Sequence, residues 1–207
     1  MNIKEAIEHR RSINFFDPDK SISKETAENI LTLAALAPSS MNLQPWKVIT
    51  VLSPEKKELL KSVSFNQPKV TEASCVYIVL ADKEFIEDNL DGIADGQVSL
   101  GLLTDETKAG YINMAKNGHG EKGSAVRTKK AIISTTLFAM NIMYAAQAYG
   151  LESHPMGGFV EADLTKKFAI NEKYEPVMLI AVGYKNPKAV VRPRSYRIQT
   201  IDFNEII

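Results

Sequence analysis

Apolar residues recur at helical spacing in several stretches of the chain. Residues 2–11 place Ile3, Ala6 and Ile7 on one face, and residues 24–37 do the same with Ala27, Ile30, Leu31, Ala34 and Ala35. Ser23 stands where the second of these helices needs an N-cap, and Pro38 where it must stop. Ser53-Pro54-Glu55 reads as a further helix start, with proline at the first helical position. Weaker helical patterns cover residues 93–115 and 162–169. Residues 131–150 carry no charged side chain, a run long enough to raise the question of a membrane span. Ser134, Thr135, Thr136, Asn141 and Gln147 interrupt it, so it reads as a helix buried on nearly all sides, in a domain core or against a second subunit.

Three short runs rich in Val and Ile, at residues 47–52, 75–81 and 177–183, are nearly continuous in apolar character, as strands buried on both faces are. Helices outnumber these strands and do not alternate with them one for one, which predicts an α+β fold rather than a doubly wound sheet. The stretch 116–124 is polar and glycine-rich and reads as a mobile loop, and the tail from Lys185, with Pro187 and Pro193, reads as an extended arm. No repeat or linker divides the chain, and 207 residues suit one domain spanning positions 1–207.

A composition of 44% hydrophobic and 24% charged residues excludes disorder and fibrous repeats. The 25 basic and 25 acidic residues cancel, so no general attraction to nucleic acid or a membrane surface is expected, and any anion site must be local. The one cysteine, Cys75, lies in an apolar run and reads as a small buried hydrophobe in a reducing compartment. The first residues carry Glu5 where a signal peptide would be basic and then apolar, so a cytoplasmic protein is expected.

Several motifs fail on context. Gly118-His119-Gly120-Glu121-Lys122-Gly123 matches a dinucleotide-binding fingerprint, but a helical stretch precedes it instead of a strand, and no acid follows between Ser124 and Leu151. His9, His119 and His154 have no Cys or carboxylate partners at ligand spacing, so no metal site is expected. Walker A and G-x-S-x-G sequences are absent.

Four other segments carry candidate chemistry. Arg10-Arg11-Ser12 ends the first helix, where two cations complement the helix dipole. The same groups suit a phosphate dianion, at about 1.5–3 kcal/mol per charge-assisted bond. Residues 37–46, Ala-Pro-Ser-Ser-Met-Asn-Leu-Gln-Pro-Trp, form a rigid polar corner between helix and strand that can present hydroxyls and amides to a heterocycle. A plain turn with Trp46 in the core explains it as well. His154-Pro155-Met156-Gly157-Gly158-Phe159 lets the main chain approach a flat ligand, or is simply a turn. Arg192-Pro193-Arg194 adds two cations to the tail, or a solvated end.

These segments, in this order and spacing, make the chain resemble the FMN-dependent nitroreductase family along nearly its whole length. The resemblance implies an α+β, nitroreductase-like fold: a central mixed β-sheet flanked by helices, in a homodimer with two FMN sites at the interface and a domain-swapped C-terminal arm. It implies that Arg10, Ser12, Arg192 and Arg194 hold the FMN phosphate, with Arg11 beside them. It implies that Pro38, Ser39, Ser40, Asn42 and Gln44 of the other subunit line the isoalloxazine and ribityl region. Pro155, Met156, Gly157 and Gly158 would run along one ring face, with the Gly157 N–H near flavin N5. Asn66 and Lys69 resemble the family's amide and lysine at the pyrimidine edge. Asn14 departs from the cation many members carry there, which leaves Lys69 more of the task of stabilising reduced flavin.

The implied activity is hydride transfer from NADH or NADPH through FMN to a small electron-poor acceptor such as a nitroaromatic or quinone, by a ping-pong mechanism with no catalytic side chain. A specialised reductase of another acceptor, acting on an enal or in dehalogenation, is one alternative, and a non-catalytic phosphate-ligand-binding dimer is another.

Overall fold

The computed structural model of the protein describes residues 2–207. Four strands, β1 (Trp46–Val51), β2 (Cys75–Asp82), β3 (Glu152–Met156) and β4 (Tyr174–Gly183), form a sheet in the order β1-β2-β4-β3. All three ladders are antiparallel. Among the described residues, the parallel component of the sheet is a bridge between Ser12 and Ser153. Every residue of β2 is buried, which is why its apolar run is unbroken. β1, by contrast, is an edge strand of mixed burial, so its reading as a strand buried on both faces is corrected. β3 corrects the turn reading for residues 154–156, while residues 157–159 lie beyond the strand. Pro155 lacks the N–H that a central strand would need, and it is tolerated because β3 lies at the other edge of the sheet.

Eight α-helices accompany these strands among the described residues: α1 (Ile3–His9), α2 (Lys24–Ala34), α3 (Pro54–Val63), α4 (Lys69–Glu72), α5 (Phe85–Ser99), α6 (Asp105–Gly118), α7 (Ala125–Ala148) and α8 (Glu161–Lys167). Local chemistry sets their starts. Asn2 and Glu5 form a capping box, and Ser23, Ser53 and Ser124 each accept a hydrogen bond from the third residue of the helix that follows. The periodic pattern over residues 93–115 resolves into two helices. Gly101 takes the left-handed φ of 72°, which ends α5, and the Thr104 capping box starts α6.

Successive β2 residues face opposite sides of the sheet. On one side, Tyr77 and Val79 meet Ala27 and Ile30 of α2 and Phe138 and Ile142 of α7. On the other, Val76, Ile78 and Leu80 meet Leu60 and Val63 of α3 and Leu164 of α8. Burial raises the Cys75 thiol to about 12, so it stays protonated within the core. α7 is long and apolar enough to cross a membrane, but it packs on α2 and on the sheet, and Phe138 stacks on Trp46 with ring centroids 4.8 Å apart. Val126, Ile133 and Leu137 are left exposed along one side of it.

The stretch 116–124 was expected to be mobile, yet α6 runs into it and the remainder is tied down. The buried Arg127 donates from Nη2 to the Gly120 carbonyl at 2.6 Å and from Nη1 to Glu87 at 2.6 Å. The tail beyond β4 is extended and largely exposed, as expected of an arm.

The end of β4 tolerates no side chain beyond Cα. A Cβ on Gly183 would lie 2.7 Å from the Ser74 amide nitrogen and 3.2 Å from the Phe16 ring. Gly183→Ala is expected to destabilise the protein by about 1–3 kcal/mol, the usual range for overpacking, in urea unfolding at constant m-value. An unchanged midpoint would contradict this packing.

Candidate functional site

The basic residues from the two ends of the chain meet beside β3. Arg11 donates from Nη2 to the Arg192 carbonyl at 2.8 Å, and the Arg194 guanidinium donates to the carbonyls of Glu8 and Arg10. The arm is thereby laid against the end of α1. A cavity of about 290 Å³ opens between them, lined among others by Arg11, Ser12, Asn14, Val191, Arg192 and Ser195. Arg10 and Arg194 stand outside this lining. None of the four arginines pairs with a carboxylate among the described residues, so their charge is free to meet an anion.

β3 holds the segment after α1 in place. Ile13 donates its N–H to the Ser153 carbonyl at 3.1 Å, and its own carbonyl accepts from His154 Nδ1 at 2.9 Å. The other imidazole nitrogen, Nε2, lies 3.3 Å from Lys69 Nζ at the start of α4. An ammonium only donates and a carbonyl only accepts, so one tautomer satisfies both contacts: neutral, with the proton on Nδ1. Burial and the Lys69 charge hold the imidazole below the ordinary histidine pKa, against the opposing pull of the Ile13 carbonyl, and burial lowers Lys69 as well.

After β3 the chain turns past Gly157, which is exposed and whose N–H donates to no protein acceptor among the described residues. Nothing lies within 4 Å of where its Cβ would be. The neighbouring Gly158 carbonyl accepts from Gln67 Nε2 at 3.0 Å, and the Phe65 ring lies beside Gly158. Asn66 sits next to these in a left-handed turn, with φ of 53°. Thus Arg10, Arg11, Ser12, Asn14, Asn66, Lys69, Pro155, Met156, Gly157, Gly158, Arg192 and Arg194 are grouped around β3, the N-terminal segment and the arm.

Pro38, Ser39, Ser40, Asn42 and Gln44 lie elsewhere, in the corner that leads into β1. Met41, Asn42 and Gln44 all take left-handed φ values, 49°, 55° and 48°, which non-glycine residues seldom adopt. Three helices hold them there. Asn89 of α5 donates to the carbonyls of Leu43 and Gln44, the Tyr111 hydroxyl of α6 donates to the Met41 carbonyl, and Thr135 of α7 donates to the Pro45 carbonyl at 2.8 Å. Within the corner, Gln44 donates its N–H to Ser39 Oγ at 3.0 Å.

His119, just past α6, completes this arrangement. Its Nδ1 donates to the Ala115 carbonyl at 2.7 Å, and its Nε2 accepts from the Ser40 hydroxyl at 2.8 Å. Burial lowers its pKa, with Lys130 and Arg127 adding to the effect and the Ala115 bond opposing it. No hydrogen bond joins the corner to the β3 group among the described residues. The candidate residues therefore form two groups at opposite edges of the sheet. His119, His154, Tyr111 and Asn89 were not singled out as site residues from the sequence, where nothing marks contacts between such distant positions.

The family model for the Nitroreductase family matches residues 7–184 of the chain. A relative from Bacillus subtilis (strain 168), "Putative NAD(P)H nitroreductase YdgI", is 40% identical over 182 residues, 86% of each chain. The crystal structure of ydfN from Bacillus subtilis superposes with a TM-score of 0.89 at 32% identity, covering 99% of this chain and 98% of that one. A nitroreductase-type structure in complex with FMN, from Exiguobacterium sibiricum 255-15, gives 0.90 at 29% identity, covering 100% and 98%.

Because His119 and His154 are both held below the free value of 6.5, the unfolded chain binds protons there at pH values where the native chain does not. The stability this represents is complete above about pH 6.5 and is lost as the pH falls through the native values. Acidification from about pH 7.5 to 5.5 is expected to lower the urea midpoint more in the parent protein than in a His119→Gln, His154→Gln variant. Equal losses would contradict the neutral assignments.

Proposed function

The chain belongs to the nitroreductase family, and on that premise we propose that it is an NAD(P)H-dependent FMN oxidoreductase, a cytoplasmic homodimer of one domain spanning residues 1–207. The observation that carries this reading is the set of four arginines without acidic partners, gathered from both ends of the chain at the Ser12–Ser153 bridge of β3, the strand after which the Gly157 N–H stands open with no protein acceptor. Such a donor set fits a phosphate monoester attached to a flat ring, and FMN is such a molecule.

Bound there, FMN would supply the two-electron chemistry between NADH or NADPH and a small acceptor such as a nitroaromatic or a quinone. The protein binds and orients. Arg10, Ser12, Arg192 and Arg194, with Arg11, hold the phosphate. Pro155, Met156, Gly157 and Gly158 would line one face of the ring, with the open Gly157 N–H as the donor for its N5. Asn66 and Lys69 reach the pyrimidine edge, where Asn14 supplies no charge. No side-chain nucleophile or general acid is required, and donor and acceptor occupy the same open face in turn, which is ping-pong behaviour.

Pro38, Ser39, Ser40, Asn42 and Gln44 enter the same site from a second copy of the chain. Two features support the dimer: the exposed apolar stripe Val126, Ile133 and Leu137 on α7, and an arm that leaves Val190, Tyr196, Ile201 and Phe203 in solvent. Apolar surface of this extent marks a contact with another molecule. Beyond Arg194 the arm, domain-swapped, embraces the partner.

The purified protein is expected to be yellow, to bleach with NADH or NADPH, and to recover its colour with a nitroaromatic or quinone. Failure to bind added FMN would contradict the reading. Arg10→Ala with Arg194→Ala is expected to weaken FMN roughly tenfold or more relative to riboflavin, since charge-assisted bonds contribute about 1.5–3 kcal/mol each and riboflavin has no phosphate. Equal losses for the two ligands would contradict the phosphate assignment.

A further inference from the structure

His154 is a side chain that no part of the binding scheme uses, yet it joins two parts of that scheme. Its Nδ1 donates to the Ile13 carbonyl at 2.9 Å, between Ser12 and Asn14, and its Nε2 lies 3.3 Å from Lys69 Nζ. The backbone of Ile13 is fixed at its other end by Ser153, the residue before His154 on β3. The imidazole is thus anchored on one side by main chain and offers a single lone pair on the other. Lys69, at the first position of the short α4, has no carboxylate partner among the described residues, and its ammonium donates to His154.

We propose that His154 is a positioning residue for Lys69: a neutral, main-chain-anchored acceptor that aims the ammonium at the pyrimidine edge of the bound flavin. This inference rests on the FMN reading and goes beyond it by assigning a residue that acts through another. A cation at that edge stabilises the negative charge of the reduced cofactor most when it is oriented beforehand, because none of the gain is then spent on ordering the side chain. A lysine has four rotatable side-chain bonds and loses much rotamer freedom when fixed. With Asn14 uncharged, the orientation of Lys69 decides how much of that stabilisation is realised. A carboxylate in place of His154 would also hold the ammonium, but would cancel its charge; a neutral imidazole holds it and leaves the charge intact.

Two measurements test this. In flavin-free protein, ¹⁵N NMR of the imidazole is expected to show the proton on Nδ1 and a lone pair on Nε2, with the Nε2 resonance moving in Lys69→Met. A proton on Nε2 would overturn the proposal without any variant at position 154. In FMN-loaded protein, the ratio of reduced to oxidised flavin at a fixed solution potential is expected to fall about tenfold in His154→Leu, in line with the loss of one hydrogen bond to a charged group. His154→Gln, whose amide oxygen also accepts, should recover most of it. In a Lys69→Met background, His154→Leu should cause no further change.

An unchanged ratio in His154→Leu, or the same fall with Lys69 absent, would overturn the proposal while leaving the FMN reading standing. Failure of the parent protein to bind FMN would remove both. A ratio unaffected by Lys69→Met alone would remove Lys69 from the pyrimidine edge, and His154 with it.

Discussion

The order of strands in the sheet is the constraint on which the rest depends. β1 and β3 are its two edges, with β2 and β4 between them. At the usual spacing of about 4.8 Å between neighbours, the edges lie about 14 Å apart. The polar corner leads into β1, and the arginines, Lys69 and Gly157 gather around β3. Each half carries what the other lacks: one has phosphate donors and a bare backbone platform, the other hydroxyls and amides. In the proposed dimer the halves of two chains would come together, give each ligand both sets and cover the apolar side of α7, which is exposed in the single chain.

Holding the corner ready has an energetic cost that the fold meets locally. Three non-glycine residues in the left-handed region cost on the order of 1 kcal/mol or more each. Hydrogen bonds from Asn89, Tyr111 and Thr135, each on a helix already packed into a core cluster, offset it, together with the bond that Ser40 of the corner donates to His119. α5 and α6 therefore act as the brace of the corner. Arg127, buried and bonded to both Glu87 and Gly120, fixes the turn after α6 that carries His119. Preorganisation of this kind means that binding need not supply the energy to form the corner.

Much of this was legible in the sequence, for physical reasons that differ by element. β2 announced itself because burial on both faces leaves its run from Cys75 to Ala81 apolar, α2 because a serine cap and apolar spacing coincide, α3 because Ser53-Pro54 marks a helix start, and α7 because residues 131–150 carry no charge. Each of the four candidate segments has a structural reading of its own, and only their joint order and spacing along the chain, which carry the family resemblance, singled them out. β3 was hidden, since a proline inside an edge strand carries the same local signature as a turn. The split between α5 and α6 rested on Gly101 and Thr104, weak markers within a continuous pattern. His119 reaching Ser40 and His154 reaching Lys69 were invisible, because partners 79 and 85 positions apart are brought together only by tertiary packing.

The central claim is that each cofactor site is built from two chains, and co-expression of two complementary variants tests it directly. One chain would carry Arg10→Ala and Arg194→Ala, the other Ser40→Tyr to obstruct the corner, with different affinity tags to isolate the mixed dimer. Each variant alone should bind little FMN. The mixed dimer should hold one FMN per two chains, because one of its two sites combines an unaltered β3 group with an unaltered corner. A mixed dimer that binds no more FMN than its parents would contradict the account, and so would a monomeric protein that binds FMN fully.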